Sequence, residues 1–391
     1  MLKINILFKK LLFSMIITII ILLGNHIPLD SITFENRGGE EMSHLSLFVF
    51  SLGMSPWMSA QILLRILSLG NHQYLSENRH IKIYSMMFVI AFIQSLAMTL
   101  HSSSLKDLFL TTFPLVCILI AGSYIIAFLA NLNNQYGIGG VTVVFVINIL
   151  LSRKSIIEDF PLLMNNTYNI LIFILICIWS LLGIYGMVTL EKAEYRVGIR
   201  RILINNEFGK DAYLPLKLNL SSGMPFMYAF TILSFPQYVF MLIHALLDKQ
   251  IDLTYAQSYF EINNWRGILV YMFILFVLSI LFAFFNVDIV KMTETMQKSG
   301  DYIINVRPGK ATERYLNNSV WSIGILSGLY ISLIAGLPLL LTQYVSDMRE
   351  LAILPGVIMM ISGMMVNILQ EVRTIQLVRG YRSIFDIFTD Y

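Results

Sequence analysis

The residue types that could do chemistry are few in this chain, and they form no recognised catalytic or metal-binding pattern. Cys117 and Cys177 each lie in an apolar run without a CxxC motif, so two buried free thiols are favoured over a disulfide or a metal site. The chain contains no HExxH, GxSxG or Walker-type motif, and five of its six histidines flank apolar runs. The sixth, His244, stands alone near the end of such a run, which favours an interfacial position over catalysis. We therefore predict no catalytic residue, no cofactor and no metal site.

The composition restricts the class of protein further. Hydrophobic residues make up 57% of the chain and charged residues 13%, whereas a soluble domain has about 45–50% and about 25%. Soluble enzymes, nucleic-acid-binding proteins and disordered chains are therefore poor candidates. No Asp, Glu, Lys or Arg occurs from Leu108 to Ser152, a stretch that can hold two bilayer crossings of about 20 residues each. The sequence predicts an all-α, polytopic membrane protein.

Ten apolar segments separated by polar breaks are predicted to cross the membrane. If the connections alternate between sides, 20 of the 27 Lys and Arg residues fall on the side of the N terminus and 7 on the other. Because positive charge marks the cytoplasmic side, both termini are predicted to be cytoplasmic. The predicted spans are 11–28, 45–67, 81–101, 112–131, 138–152, 168–190, 221–246, 267–287, 319–341 and 351–370, of which the fifth is short for a crossing.

The first span could also be interpreted as a signal peptide, because the apolar run from Leu11 to Leu23 follows two lysines. The run is followed by Gly24-Asn25-His26-Ile27-Pro28, which has no small-residue cleavage pattern. An uncleaved first span is favoured.

Ten spans divide into an N-terminal half, 1–152, and a C-terminal half, 153–391, and five spans per half force opposite orientations. Span two contains "GMSPWM" and span seven contains "GMPFM", which are equivalent positions in such a repeat. Interrupted spans at matching places in inverted halves indicate a transport path between the halves, although chance remains an alternative for so short a match.

The spans contain almost no ionisable groups. Only Arg65 and Lys82 lie inside predicted spans, both near span ends, and Glu371 directly follows the tenth span. Ion-coupled carriers use buried charges for coupling, so a passive conduit is favoured. The polar uncharged residues of the spans, such as Asn148, indicate either inter-helix hydrogen bonds or a polar seam along a gate. The 21 Met residues are either core filler or a flexible surface that closes around passing chains.

Two long loops, 191–220 and 288–318, are predicted on the cytoplasmic side. Each has about thirty residues, longer than the usual connection of about 2–8 residues, and each is basic and amphipathic with Gly and Pro turns. They form either membrane-surface hairpins with charged tips or a docking platform for a cytoplasmic partner.

The sequences of these loops and spans resemble the SecY family of protein-conducting channels. The similar stretches are "YLPLKLN" before span seven, "MQKSGDYIINVRPGKATERYL" before span nine, "SLGMSPWMSAQILLRIL" in span two, "FIQSL" in span three, "YGIGGVTVVFVINIL" at span five and "VRTIQ" at the end of span ten. The resemblance covers nearly the whole chain.

The resemblance implies ten spans in two inverted halves, arranged as a clamshell with an hourglass pore. A ring of apolar side chains would seal the waist, and a lateral gate between spans two/three and seven/eight would release apolar segments into lipid. By position, the ring falls on Met54, Met58, Phe145, Ile149, Met227 and Met365, and the gate is assigned to Gln61, Gln94, Asn219 and Asn286.

One stretch departs from the family pattern. Only Asp30 to Arg37 separate the first span from Gly38-Gly39, where the family has a longer plug helix over the pore. The shortened plug, the Met-rich ring and the short C-terminal tail resemble the accessory SecY type of some Gram-positive bacteria. That type exports large, glycosylated, Ser-rich adhesins with an accessory SecA ATPase.

We therefore expect a passive polypeptide channel in the cytoplasmic membrane, driven by a SecA-type ATPase. The expected partners are that ATPase, the secreted polypeptide, small membrane subunits of SecE type and lipid, with no nucleic acid. Arg200, Arg201, Arg307 and Lys310 are the candidate docking residues, and the turn at Pro308-Gly309 would present Arg307 at a loop tip. The alternatives are a secondary transporter of a small solute, which predicts charged groups at the midplane, and a scaffold or insertase subunit, which predicts no continuous pore.

The span count makes a direct prediction. A reporter fused after Arg201 or Lys310 should be cytoplasmic, and one fused after Lys154 or Lys249 should be external, because an odd number of crossings separates the two pairs. Reporter activity on each side of the membrane measures this. An external reporter after Lys310 would contradict the ten-span topology.

Overall fold

The computed structural model describes residues 5–29, 47–67, 78–102, 112–152, 167–201, 212–246, 254–344 and 351–389. They are mostly helical. The helices are α1 (Asn5–Gly24), α2 (Ser55–Leu67), α3 (Arg79–Ser102), α4 (Phe113–Tyr136), α5 (Gly140–Ser152), α6 (Thr167–Lys192), α7 (Met224–Leu246), α8 (Thr254–Gln257), α9 (Trp265–Asn286), α10 (Ile289–Ser299), α11 (Lys310–Leu341) and α12 (Leu354–Thr389). The strands are β1 (Glu194–Arg201), β2 (Tyr213–Lys217) and β3 (Asp301–Ile303).

Each predicted span overlaps one of these helices. In the described ranges, eight helical segments are long and apolar enough to cross a membrane, which agrees with a multi-pass membrane protein. The helices at predicted spans two and five, α2 and α5, have 13 residues each and are shorter than the roughly 20 that a full crossing needs.

The second span differs from its predicted start at residue 45, because α2 begins only at Ser55. Gly53 adopts a left-handed conformation with φ of 55°, which turns the chain just before the helix. Pro56 fits the first turn of α2, where a missing amide hydrogen costs no helical hydrogen bond. Upstream of the turn, Phe48 forms an isolated antiparallel bridge with Pro28.

The described cysteines are free, but one expectation about them was wrong. Cys117 on α4 is exposed and Cys177 on α6 is half-buried, although both were predicted to be buried. In a membrane-spanning helix an apolar run does not require burial inside the protein, because the outward face contacts lipid tails.

The chain divides into two compact units. The first comprises 1–159, 230–261 and 368–391, and the second comprises 160–229 and 262–367. The predicted halves, 1–152 and 153–391, remain a prediction.

In the first unit, side chains from three helices fix the corner between α4 and α5. The hydroxyl of Ser14 on α1 donates to Oδ1 of Asn133 at 2.7 Å and accepts from the amide of Ile138 at 2.8 Å. The carboxylate of Glu371 on α12 accepts from the amide of Gly139 at 3.1 Å. Because Gly139 lies between α4 and α5 and belongs to neither helix, its amide has no helical partner, and Glu371 satisfies it. This role explains one of the few charges at the end of a predicted span.

In the second unit, the two long loops form one small sheet that the all-α prediction missed. The strand order is β2-β1-β3, and both pairs are antiparallel. Val197 pairs with Leu214, and Ile199 pairs with Ile303. Strand side chains alternate between faces, so Val197 and Ile199 point to one side, where both are buried.

The buried face of this sheet packs on the ends of α9, α10 and α11. The apolar core there is contributed by strands and helices alike: Val197, Ile199, Leu216, Ala283, Ile289, Met296, Ile303, Leu316, Val320 and Ile323. The sheet is therefore held on the helices by a continuous core rather than lying free on a surface.

Neighbouring isoleucines test this core. Ile303 is 3% exposed and Ile304 is 42% exposed, so Ile303→Ala should destabilise the sheet by about 2–5 kcal/mol, because it leaves a cavity in the core. Ile304→Ala is the matched control and should cost about 0.5 kcal/mol or less. Amide hydrogen exchange in β1 measures both, and equal exchange in the two variants would contradict this account of the core.

Candidate functional site

The four predicted ring residues of the first unit lie on two helices, at the start of α2 and within α5. Met54 and Met58 are one turn apart at the start of α2, where the amide of Met58 donates to the carbonyl of Met54 at 3.0 Å, and both side chains are fully buried. Phe145 and Ile149 lie one turn apart on α5; Phe145 is buried and Ile149 is half-buried.

The start of α2 lies against α5 at Asn148. A Cβ on Gly53 would overlap Nδ2 of Asn148, so the turn before α2 contacts α5 at the residue between Phe145 and Ile149. The structure thus places the turn that precedes Met54 against α5.

The two remaining ring residues belong to the second unit. Met227 lies in the first turn of α7 and is 3% exposed, whereas Met365 on α12 is 53% exposed. The assignment of these six side chains to one ring stays a prediction.

The predicted gate residues also divide between the units. In the first, Gln94 on α3 is fully buried, and its Nε2 donates to Oγ of Ser55 at 3.4 Å, which links α3 to the start of α2. Among the described residues, Oε1 of Gln94 has no hydrogen-bond partner. Gln61 is half-buried on α2.

In the second unit, Asn219 and Asn286 lie beside the same short segment. Asn219 is 1% exposed; its Oδ1 accepts from Oγ of Ser221 at 3.0 Å, and its Nδ2 lies 3.2 Å from Sδ of Met187. Asn286, at the exposed end of α9, donates from Nδ2 to the carbonyl of Leu220 at 2.7 Å. Both amides therefore fix the segment that leads into α7, and their role in a gate stays a prediction.

The predicted docking residues lie on the small sheet, in the turn after β3 and at the start of α11. In the register of the sheet, Arg200 of β1 lies opposite Tyr302 of β3, and Arg201 lies opposite Asp301. Downstream of β3, Arg307 is exposed, and its carbonyl accepts from Oγ1 of Thr312 at 3.0 Å, which ties the turn to the first helical turn of α11.

Lys310 begins α11 directly after Gly309, which has a φ of 98°. Its exposed side chain lies with Arg314 and Tyr315 along a cleft of about 460 Å³. The two loops thus present their cations on one part of the second unit.

One basic residue of this surface was missed by sequence reasoning. Arg196 lies four residues before Arg200 on β1, so the two side chains share a face, and both are exposed. The guanidinium of Arg196 lies 4.7 Å from the ring centroid of Tyr213 on β2, at cation–π distance. The alternation in "RVGIR" was the signal that could have identified this face.

Comparison with known proteins identifies the family. A family model described as SecY matches residues 48–371. The chain belongs to the SecY family. The resemblance inferred from the motifs, including the accessory type, is confirmed.

Relatives of this SecY-family protein match it over nearly the full length. The accessory Sec system protein translocase subunit SecY2 of Streptococcus agalactiae serotype III (strain NEM316) is 35% identical over 401 residues, which cover 98% of this chain and 97% of that protein. The proteins of the same name from Streptococcus salivarius (strain CCHSS3) and Streptococcus gordonii are 33% and 32% identical; the matches cover 98% and 96% of this chain and 98% of each relative.

Solved structures show the same fold. A protein-conducting channel superposes with a TM-score of 0.67 at 14% identity, and Sec61 from a canine ribosome–channel complex superposes with 0.61 at 15% identity. Each match covers 93% of this chain and 91% of the solved chain. At these identities the likeness shows the fold alone.

Proposed function

We propose that this chain is the pore subunit of an accessory protein translocase in the cytoplasmic membrane. The observation that carries the proposal is the full-length similarity to proteins named accessory Sec system protein translocase subunit SecY2. The chain supplies the path, the seal and the gate, and a SecA-type ATPase supplies the energy.

The proposed channel has ten crossings in two inverted halves, with both termini cytoplasmic. The short helices α2 and α5 cross together with the segments beside them, which is tolerated where irregular backbone is buried in protein or lines a cavity. The positive charge on the side of the termini supports the orientation.

The seal is formed by apolar side chains at the waist, with methionine prominent among them. A narrow apolar constriction blocks ions by dewetting and needs no charged barrier. Methionine is unbranched and polarizable, so it can yield to chains of varied shape and then close again. The burial of Met54, Met58 and Met227 supports their placement at a closed constriction.

The proposed cargo is a large, glycosylated, Ser-rich adhesin, and the proposed partners include an accessory SecA and small subunits of SecE type. We assign no catalytic step to this chain. The shortened plug segment, Asp30 to Arg37, lies outside the described residues.

The ATPase docks on the basic surface formed by the two loops. Arg196 and Arg200 lie on the exposed face of β1, while Arg307 and Lys310 lie at the turn before α11. Arginine suits this role, because its planar fork binds carboxylates with two hydrogen bonds.

Charge reversal tests the docking surface. Arg307→Glu and Arg200→Glu should reduce export more than the alanine variants do, because a reversed charge adds repulsion from an acidic partner surface to the lost attraction. Lys298→Glu is the matched control, since Lys298 lies on α10 of the same unit with its side chain 81% exposed. The measurement is the amount of substrate exported at equal levels of inserted protein. Normal export by Arg307→Glu would contradict the docking role and leave the loop as a surface hairpin.

Removing side-chain volume at the proposed waist tests the seal. Met58→Gly combined with Met227→Gly should widen the waist and admit water, giving ion leak in planar bilayers without partner or cargo. A cysteine at either position should crosslink to a stalled export substrate only while the ATPase is active.

The control removes similar volume elsewhere. Met87 and Met359 are fully buried and belong to no assigned ring, so their combined change to Gly should give no leak. A solute carrier would show lost uptake instead, and a scaffold would show neither leak nor crosslink. If the Met58→Gly and Met227→Gly double variant shows no ion leak and no crosslink forms at either position, the predicted ring is ordinary core packing.

A further inference from the structure

A buried carboxylate lies where the helix that carries Met227 begins. Glu191, at the end of α6, is 1% exposed, and its Oε1 accepts a hydrogen bond from Oγ of Ser222 at 2.7 Å. Its Oε2 is buried and has no hydrogen-bond partner within the described chain. Carboxylates at such positions are costly in a membrane protein, so those that persist are candidates for a functional role.

The partner of Glu191 has an unusual backbone conformation. Ser222 has a φ of 50°, in the left-handed region that residues with a Cβ rarely adopt. Its amide donates to Oδ1 of Asn219 at 3.1 Å, while its hydroxyl donates to Glu191. Both the backbone and the side chain of Ser222 are therefore held, and these two bonds offset the strain of the left-handed conformation.

This conformation directs the chain into a close backbone contact. A Cβ on Gly223 would lie 2.6 Å from the carbonyl oxygen of Met360, and a Cβ on Gly363 would lie 2.8 Å from the amide nitrogen of Gly223. The start of α7 thus packs directly on the backbone of α12, without room for a side chain at Gly223 or Gly363. Met227 follows within the first turn, so its position depends on how Ser222 is held.

A line of buried hydroxyls fixes the other side of the same segment. Oγ of Ser221 lies 3.1 Å from Oγ of Ser279 on α9, which lies 3.2 Å from Oγ of Ser327 on α11. All three serines are almost completely buried. The segment from 219 to 223 is therefore anchored to α6, α9, α11 and α12, and within that set Glu191 is the charged anchor.

We propose that Glu191 is a positioning residue: by holding Ser222 in its left-handed conformation, it sets the closed position of Met227 and so the tightness of the resting channel. The inference rests on the proposed pore function. Its readout is the frequency of channel opening in planar bilayers without partner or cargo, measured at equal amounts of folded, monodisperse protein.

Four variants separate this role from general stability. Glu191→Ala and Ser222→Ala each remove the hydrogen bond and should raise the opening frequency about tenfold, the change that about 1.4 kcal/mol produces in an equilibrium. Glu191→Gln keeps an acceptor for the Ser222 hydroxyl and should stay close to wild type. Ser222→Gly should also stay close, because glycine adopts a positive φ without support.

The double variant gives the sharpest test. With glycine at 222 the hydrogen bond is no longer needed, so Glu191→Ala added to Ser222→Gly should cause no further leak. If the double variant leaks as much as Glu191→Ala alone, the carboxylate does not act through Ser222 and the proposal is overturned. The proposal is also overturned if folded Glu191→Ala is as tight as wild type.

Two further outcomes are decisive. Lys217 is close enough to interact electrostatically with Glu191, so a leak in Glu191→Gln as large as in Glu191→Ala would assign the effect to charge pairing and overturn the proposal. If Glu191→Ala does not fold, rescue of folding by Ser222→Gly supports the proposal and failure of rescue overturns it. Glu294→Ala removes an exposed carboxylate from α10 and should have no effect; an equal leak there would overturn the assignment to Glu191.

The pore itself is checked separately with the Met58→Gly and Met227→Gly variant. If that variant conducts while Glu191→Ala does not, the pore stands and the positioning role fails. If neither conducts under any condition, the pore is misplaced and the positioning role falls with it.

Discussion

Backbone hydrogen bonding in lipid is the constraint on which the rest of this structure depends. A chain that crosses a bilayer must satisfy its amides and carbonyls internally, and helices do so without help from neighbours. At two places where the backbone of this protein departs from a helix, side chains supply the missing partners. Glu371 does so for the amide of Gly139 in the first unit, and Asn219 does so for the amide of Ser222 in the second.

The positions of the long helices could be predicted from the sequence, because an apolar run without charges has one stable form in a membrane. The small sheet could not be predicted in the same way. Its central strand, β1, pairs with β2 from its own loop and with β3 from a loop about a hundred residues further along. Such pairing is set by tertiary contacts with the core around Leu316. β3 has only three residues, too few to show the alternation of apolar and polar side chains that marks a strand in a sequence. The start of α2 was also misplaced, because hydropathy does not register the turn at Gly53.

The sequence allowed several residues of the candidate site to be identified, but not the contacts that they make. Asn219 and Gln94 stand out in the sequence as polar groups among apolar neighbours, but their partners come from distant segments. Glu191 was not singled out, because it stands at the border of a loop that contains many charges. Only the structure shows that its carboxylate is buried against Ser222 while Glu194, three residues later, is exposed. Resemblance to the SecY family supplied the ring and gate assignments that composition and spacing alone left open.

The central claim is that this chain conducts polypeptides passively while a partner ATPase supplies the energy. Reconstitution of the purified chain with its small subunits and an accessory SecA into proteoliposomes tests this most directly. The measurement is the amount of full-length substrate protected from external protease. The account predicts protection that requires both ATP and the ATPase, with none in vesicles that lack this chain. Uptake of a small solute driven by an ion gradient, with no protected polypeptide in the presence of ATP, would contradict it.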